Sequence, residues 1–303
     1  MPLARLTNYV DGNTLTGVQL NNEFDNILNN GPALVSAAIP GVSIVQGLRG
    51  SLISNIGSFA TNGYQLKSTS TIATLTATSS YSINTQTAGP VANGRDQAAV
   101  FASTDVHFYA ITTGGTSTNA AGICSSVAPP TGPTLPAGYS AWAYLASAKY
   151  STASSAMVNA WRVAGAQISA PATILLSPAI ATSAVTGVET TILLSTRMPA
   201  IATHMTVSMS YILAATGPGG WTSHIFNFGV ESSPATGNYD AAVFAQGFAD
   251  STGLGQFVGN GGRTTLPNLG TPTIYGLGNF LVGSTGSAVL RLAGYTVPNG
   301  DVG

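Results

Sequence analysis

From Ile72 onward, apolar and small hydroxyl-bearing residues alternate with a period of two. Ile72 to Thr78 reads Ile-Ala-Thr-Leu-Thr-Ala-Thr, Val106 to Ile111 is a compact apolar run, and Trp142 and Tyr144 alternate in another. The clearest case is Met205-Thr-Val-Ser-Met-Ser-Tyr211, and Phe226, Phe228 and Val230 continue the theme. This period puts successive side chains on opposite faces, so each segment is expected to be a strand with one buried and one wet face, as in antiparallel sheets. Asn62-Gly63, Asn93-Gly94, Asn260-Gly261 and Asn299-Gly300 suit type I′ hairpins, whose central residues both need φ > 0. Short strands between such turns predict sandwiches or barrels.

The first 35 residues follow a different period. Thr16 is a good N-cap, with Gln19 completing a capping box, and Leu20, Phe24, Ile27 and Leu28 then form one helical stripe that Gly31-Pro32 stops. So short a helix is marginal alone in water. The stripe must bury against its own domain or against another chain. The expected architecture is mainly β: an N-terminal arm with one short amphipathic helix, followed by two antiparallel β-sandwich-like domains. Residues 1–35 read as arm and helix, 36–66 as a strand and connector, 67–168 as one β domain and 169–303 as a second. The Ala/Ser/Thr/Pro-rich stretch 167–188 looks like the seam between them. Four prolines between Pro129 and Pro136 predict a stiff, extended loop.

Composition sharpens this picture at one point. Charged residues make up 6% of the 303 residues, against roughly 25% in an ordinary soluble domain. Hydrophobic residues at 44% still supply a core. Nine basic and ten acidic side chains are spread thinly, giving a net charge of −1. Without a Lys/Arg cluster to displace counterions from phosphates, no nucleic-acid partner is expected. Near-neutrality leaves little repulsion against self-association, so copies of the chain are expected partners. So few ionisable groups also predict a stability that varies little over about pH 5–9 or with salt. Cys124 is the only cysteine, which excludes an intrachain disulfide and a Cys-based zinc site. The N-terminus has no signal-peptide core and no apolar run reaches ~18 residues, so neither export nor membrane insertion is expected.

No catalytic constellation stands out. His107, His204 and His224 lack zinc-motif spacing and read as core or rim residues. Gly253-Leu-Gly255-Gln-Phe-Val-Gly259 has the wrong spacing for a dinucleotide fingerprint, and Gly259-Asn-Gly-Gly-Arg-Thr264 lacks the P-loop lysine. Both read as Gly-rich loops. Asp240 with Asp250, or Asp96 with Asp105, are the carboxylate pairs a glycosidase would need, but any two of ten acids can be paired on paper. Catalytic, metal and cofactor residues are therefore assigned to none, and the chain is not expected to be an enzyme. For surface-ligand contact the best candidates are Trp221, which follows Gly217-Pro-Gly-Gly220, and Tyr239. The alternative is that Trp221 covers the end of a sandwich.

Several phrases carry a resemblance. Asn8 to Leu28, ending in Phe-Asp-Asn-Ile-Leu, and Gln46-Gly-Leu-Arg-Gly-Ser-Leu52 are similar to the opening of tailed-bacteriophage fibre and other virion proteins. Gly94-Arg-Asp-Gln-Ala98, Val106 to Ile111, Ala128-Pro-Pro-Thr-Gly-Pro-Thr-Leu-Pro-Ala-Gly-Tyr139 and Trp142-Ala-Tyr144 resemble, in that order, a β module of phage fibres. The resemblance implies a homotrimer placed in the virion, assembled in the bacterial host cytoplasm and attached to other virion proteins by the stripe Leu20, Phe24, Ile27 and Leu28. A host surface glycan or protein is the further contact implied. The missing repetitive shaft points to a short fibre, spike or decoration protein. The rival readings are a decoration or tail-collar protein without a receptor, and a glycan-degrading tail spike.

Overall fold

The structure, a computed structural model, describes residues 45–46, 48–60, 63–68, 72–75, 80–113, 121–183, 188–214, 221–232, 239–248, 256–282 and 286–298. The helix expected after Thr16, its stripe Leu20, Phe24, Ile27 and Leu28, and the Asn299-Gly300 turn lie outside these residues. All named elements are strands: β1 (Val45–Gln46), β2 (Arg49–Ile53), β3 (Ile56–Ala60), β4 (Gly63–Ser68), β5 (Ile72–Leu75), β6 (Tyr81–Asn84) and β7 (Asp105–Thr112). Next come β8 (Ala121–Ser125), β9 (Ala141–Ser151), β10 (Ala156–Met157), β11 (Trp161–Ala164), β12 (Gln167–Leu175), β13 (Ile180–Ser183) and β14 (Glu189–Leu193). The chain closes with β15 (His204–Ala214), β16 (Trp221–Gly229), β17 (Ala241–Phe248), β18 (Gln256–Pro267), β19 (Thr273–Val282) and β20 (Gly286–Thr296). Among the described residues no helix is long and apolar enough to cross a membrane.

The fold is all-β, with three sheets. Sheet I runs β1-β4-β9-β7-β8, with β5 on β4 and β10 on β9. Sheet II runs β18-β15-β20-β12-β11-β2-β3-β6. Sheet III is built from β17, β16, β19 and β14. β13 pairs with β20 of sheet II and, in parallel, with β19 of sheet III, so those two sheets are hydrogen-bonded into one network. The other strand pairs are antiparallel, as the alternation predicts.

The alternation of Met205 to Tyr211 is realised directly. Met205, Val207 and Met209 are buried in β15, while Thr206, Ser208 and Ser210 stay partly exposed. β11 behaves the same way, with Trp161 and Val163 in and Arg162 and Ala164 out. The central strands of sheet I do not follow the one-wet-face expectation. Ala141 to Ala148 are all buried, as are Val106 to Thr112 and Ala121 to Ser125. One face is covered by sheet II, where the Phe59 ring sits 5.7 Å from Phe108 and 6.2 Å from Tyr81. Close approach there needs a bare backbone: a Cβ on Gly122 would stand 2.3 Å from Ile83 Cδ1. The other face carries Tyr109, Trp142 and Tyr144 in edge-on contact, with centroids 5.1 and 5.7 Å apart, and is covered by the proline loop. Gly132 (φ +79) lies so near that a Cβ would meet the Trp142 ring at 2.3 Å. The loop is thus a lid over an aromatic face, which the spacing of its prolines did not reveal.

Five further readings are corrected. Residues 49–60, expected as connector, form the hairpin β2–β3 of sheet II, whose neighbours are β11 and β6. The seam expected at 167–188 contains β12 and β13, which pair with β20. Pro171 is tolerated because the β12–β20 register breaks between Ser169 and Ile174, releasing it from the ladder. Asn260-Gly261 is not a hairpin turn and Gly259–Thr264 is not a loop. Both lie within β18, where Gly262 (φ +81) takes up a bulge opposite Ser208 and Ser210. At Asn93-Gly94 only Asn93 has positive φ, and the Gly94 N–H closes a turn on the Val91 carbonyl at 3.2 Å, so this is not a type I′ hairpin either. The buried side chains from Leu48 to Val297 make one contiguous core.

Candidate functional site

Arg95 and Asp96 are an isolated pair of charges in the chain and both are buried, at 3% and 6% exposure. A buried guanidinium must find acceptors. Here Nη1 donates to the carbonyls of Thr85 (3.1 Å) and Gln86 (3.3 Å), and Nη2 to that of Ala98 (2.8 Å). Asp96 Oδ2 accepts from the Ser125 hydroxyl at 2.5 Å and the Thr134 N–H at 3.3 Å. The backbone reinforces this lock, because Asp96 N–H donates to the Cys124 carbonyl and Cys124 N–H to the Gly94 carbonyl, each at 2.9 Å. The Tyr109 hydroxyl donates to the Val127 carbonyl at 2.6 Å. Gly94–Ala98, β7, β8 and the proline loop are thereby tied into one unit. Burial pushes the Cys124 and Tyr109 protons well above their ordinary ranges, so neither group ionises near neutrality.

A second buried polar chain crosses sheet I. His107 Nδ1 lies 2.5 Å from Ser147 Oγ, which lies 2.6 Å from the Tyr144 hydroxyl, and the Tyr295 hydroxyl of sheet II donates to the Ser147 carbonyl at 2.7 Å. Burial lowers the His107 pKa from 6.5 to about 4; the Asp105 carboxylate opposes the shift and Lys149 adds to it. The imidazole is neutral at pH 7. Ser147 is fully buried, so this hydroxyl and imidazole have no access to a substrate and serve as a strut between sheets I and II.

The concave site lies beside this strut. A cavity of about 480 Å³ is lined by Ser103, Thr104, Ser151, Ser154, Ser195 and Thr196, with Lys149, Tyr150, Val158 and Arg197 completing the wall. Lys149 Nζ is ion-paired with Asp105 Oδ1 at 2.5 Å, and Asp105 Oδ2 accepts from the Ala200 N–H at 2.8 Å. That acid therefore holds the 195–200 segment against the end of sheet I and shapes the cavity.

The chain has no match among known family models, curated proteins or solved structures. Its function therefore rests on its own residues. Of the surface-ligand candidates, Trp221 begins β16 opposite Phe248, and Tyr239 lies beyond the other end of that strand. Nine strand residues put them on the order of 25 Å apart, so they do not share one site. Tyr239 is half-buried, and its hydroxyl donates to Glu189 Oε2 at 2.8 Å while Ser232 donates to Oε1 at 2.7 Å. Of the carboxylate pairs, Asp250 lies outside the described residues and Asp240 accepts from the Val230 N–H at 2.8 Å. Asp96 and Asp105 have no partner in common among the described residues. Among the described residues no three of His, Cys, Asp and Glu are grouped to hold a metal. Sequence reading missed Lys149 and Arg197. Their signal was rarity: in a chain with nine basic residues, each one away from the termini asks for a reason.

Proposed function

We propose that the chain is a structural subunit of a tailed-bacteriophage particle, fibre-like and homotrimeric, with residues 1–35 as its attachment to other virion proteins. The observation that carries this reading is the lock around Arg95 and Asp96. The phrases that carry the resemblance, Gly94–Ala98, Val106–Ile111, Ala128–Tyr139 and Trp142–Tyr144, are separate in sequence and meet at that lock and its aromatic lid. A motif whose charged side chains bond to backbone carbonyls and loop N–H groups is a fold-defining motif, which suits an assembly protein. In this reading the two sandwich-like units are the packing of sheet I on sheet II and of sheet II on sheet III, where Tyr211 and Phe226 stack at 6.4 Å. Low charge, near-neutrality and abundant small residues support close approach of identical chains, in interfaces above ~2,000 Å².

The test is incorporation. Burying Phe24 in a groove on another virion protein is worth ~1.5–3 kcal/mol from area alone. Phe24→Ala, or deletion of residues 1–32, is expected to leave the β body folded and trimeric by light scattering while abolishing its presence on particles. Normal occupancy by the truncated chain places the attachment elsewhere. An unfolded body makes the helix a core element instead.

A further inference from the structure

We propose that the cavity between Ser103, Lys149, Ser154 and Arg197 is a binding site for an acidic saccharide, a sugar bearing a carboxylate. Its volume, about 480 Å³, falls in the range of roughly 300–1,000 Å³ typical of small-molecule sites. The wall is dominated by hydroxyls, each able both to donate and to accept, which is the complement of a sugar's own hydroxyl ring. The Ser103 hydroxyl is fixed by Thr152, donating to Oγ1 at 3.1 Å and accepting from N–H at 3.0 Å. Thr104, Ser151, Ser154, Ser195 and Thr196 make no side-chain hydrogen bond among the described residues and are available to a ligand.

Charge decides the class. Two cations and no carboxylate line the cavity. Asp105 offsets Lys149 from behind, which leaves, among the described residues, one positive charge in the wall without an ion-pair partner, the Arg197 guanidinium, whose planar fork matches a carboxylate. The one aromatic residue in the wall, Tyr150, is 2% exposed, edge-on to Phe101, with its hydroxyl accepting from the Gln86 amide at 2.7 Å. No ring face is open for stacking, so a neutral sugar has little to hold it and a carboxylate-bearing one has the arginine. The site goes beyond the virion reading and does not rest on it, because binding is measured on the purified chain and incorporation on particles.

Glucuronate and glucose differ at C6 by the carboxylate and serve as the probe pair in calorimetric titration of the full chain. Glucuronate is expected to bind roughly tenfold or more tightly than glucose, the size of one charge-assisted hydrogen-bond pair. Arg197→Gln is expected to erase that difference, and the exposed Arg263→Gln to preserve it. Should Arg197→Gln fail to fold, Ser154→Trp on the exposed turn after β9 closes the cavity mouth and is expected to abolish binding. Equal affinity for the two sugars, an unchanged preference in Arg197→Gln, absence of glucuronate binding at millimolar concentration, or inorganic phosphate binding as tightly as glucuronate would each overturn the assignment.

Discussion

Lowering the pH from 7 to 5 should destabilise this protein through a single imidazole. His107 is 3% exposed, and burial holds its pKa at about 4 in the folded chain against 6.5 as an ordinary imidazole. Between those values the unfolded chain binds a proton that the folded chain refuses, so stability falls as pH falls through this window. Above 6.5 the contribution is complete; below 4 it is lost. The full span of about 2.5 pH units corresponds to roughly 3 kcal/mol, and the step from pH 7 to pH 5 to about 2 kcal/mol. The scarcity of charges alone leads to the expectation of pH-independence down to about 5, whereas the burial of His107 predicts a fall on the acid side. Urea denaturation followed by tryptophan fluorescence at fixed protein concentration reads the change as a midpoint shift at constant slope. His107→Gln keeps a polar partner for Ser147 Oγ and removes the titration. Its midpoints at pH 5 and 7 should differ by much less than those of the parent. Superimposable parent curves, or an equal slope in His107→Gln, would refute the assignment of the effect to this residue.

The other expectations concern the lock and the lid. Arg95→Met leaves the carbonyls of Thr85, Gln86 and Ala98 without their donor and Asp96 without its neighbour's charge, and should cost about 3 kcal/mol or more in denaturant midpoint analysis; an effect below about 1 kcal/mol would make the lock incidental. Gly132→Ala meets both positive φ and the Trp142 ring and should cost roughly 2–5 kcal/mol, whereas Gly138→Ala, with positive φ but open space, should cost only about 1–2 kcal/mol. Equal losses would mean that the lid does not press on Trp142. Cys124 should resist a thiol reagent in the native protein and react once in denaturant, since its thiol is fully buried and pushed up in pKa; rapid native labelling contradicts that.

Local patterns carried the strands. The alternation from Met205 to Tyr211 and the apolar run Val106–Ile111 both specify β15 and β7, because a period of two admits few other structures. What the pattern could not carry was the partner of each face. Val106–Thr112 and Ala141–Ala148 read as half-wet strands, yet both are buried because other segments cover the sheet, Phe59 at Phe108 on one face and Gly132 at Trp142 on the other. Glycine misled for the same reason: at Asn260-Gly261-Gly262 the residues that signal a turn serve a bulge in a long strand, and only the partner β15 reveals which. The cavity was illegible since Lys149 and Arg197 are brought together by Asp105 bonding to the backbone of Ala200. The cavity wall is built mainly from Ser and Thr, in keeping with a chain that has few charged residues.

The central claim, that this chain is a structural subunit of a phage particle, is tested most directly by electron microscopy of intact particles labelled with an antibody to the chain. The account predicts label at projecting, fibre-like positions on every particle, with the chain present in purified particles in a copy number divisible by three. Purified particles that carry neither label nor detectable chain would contradict it.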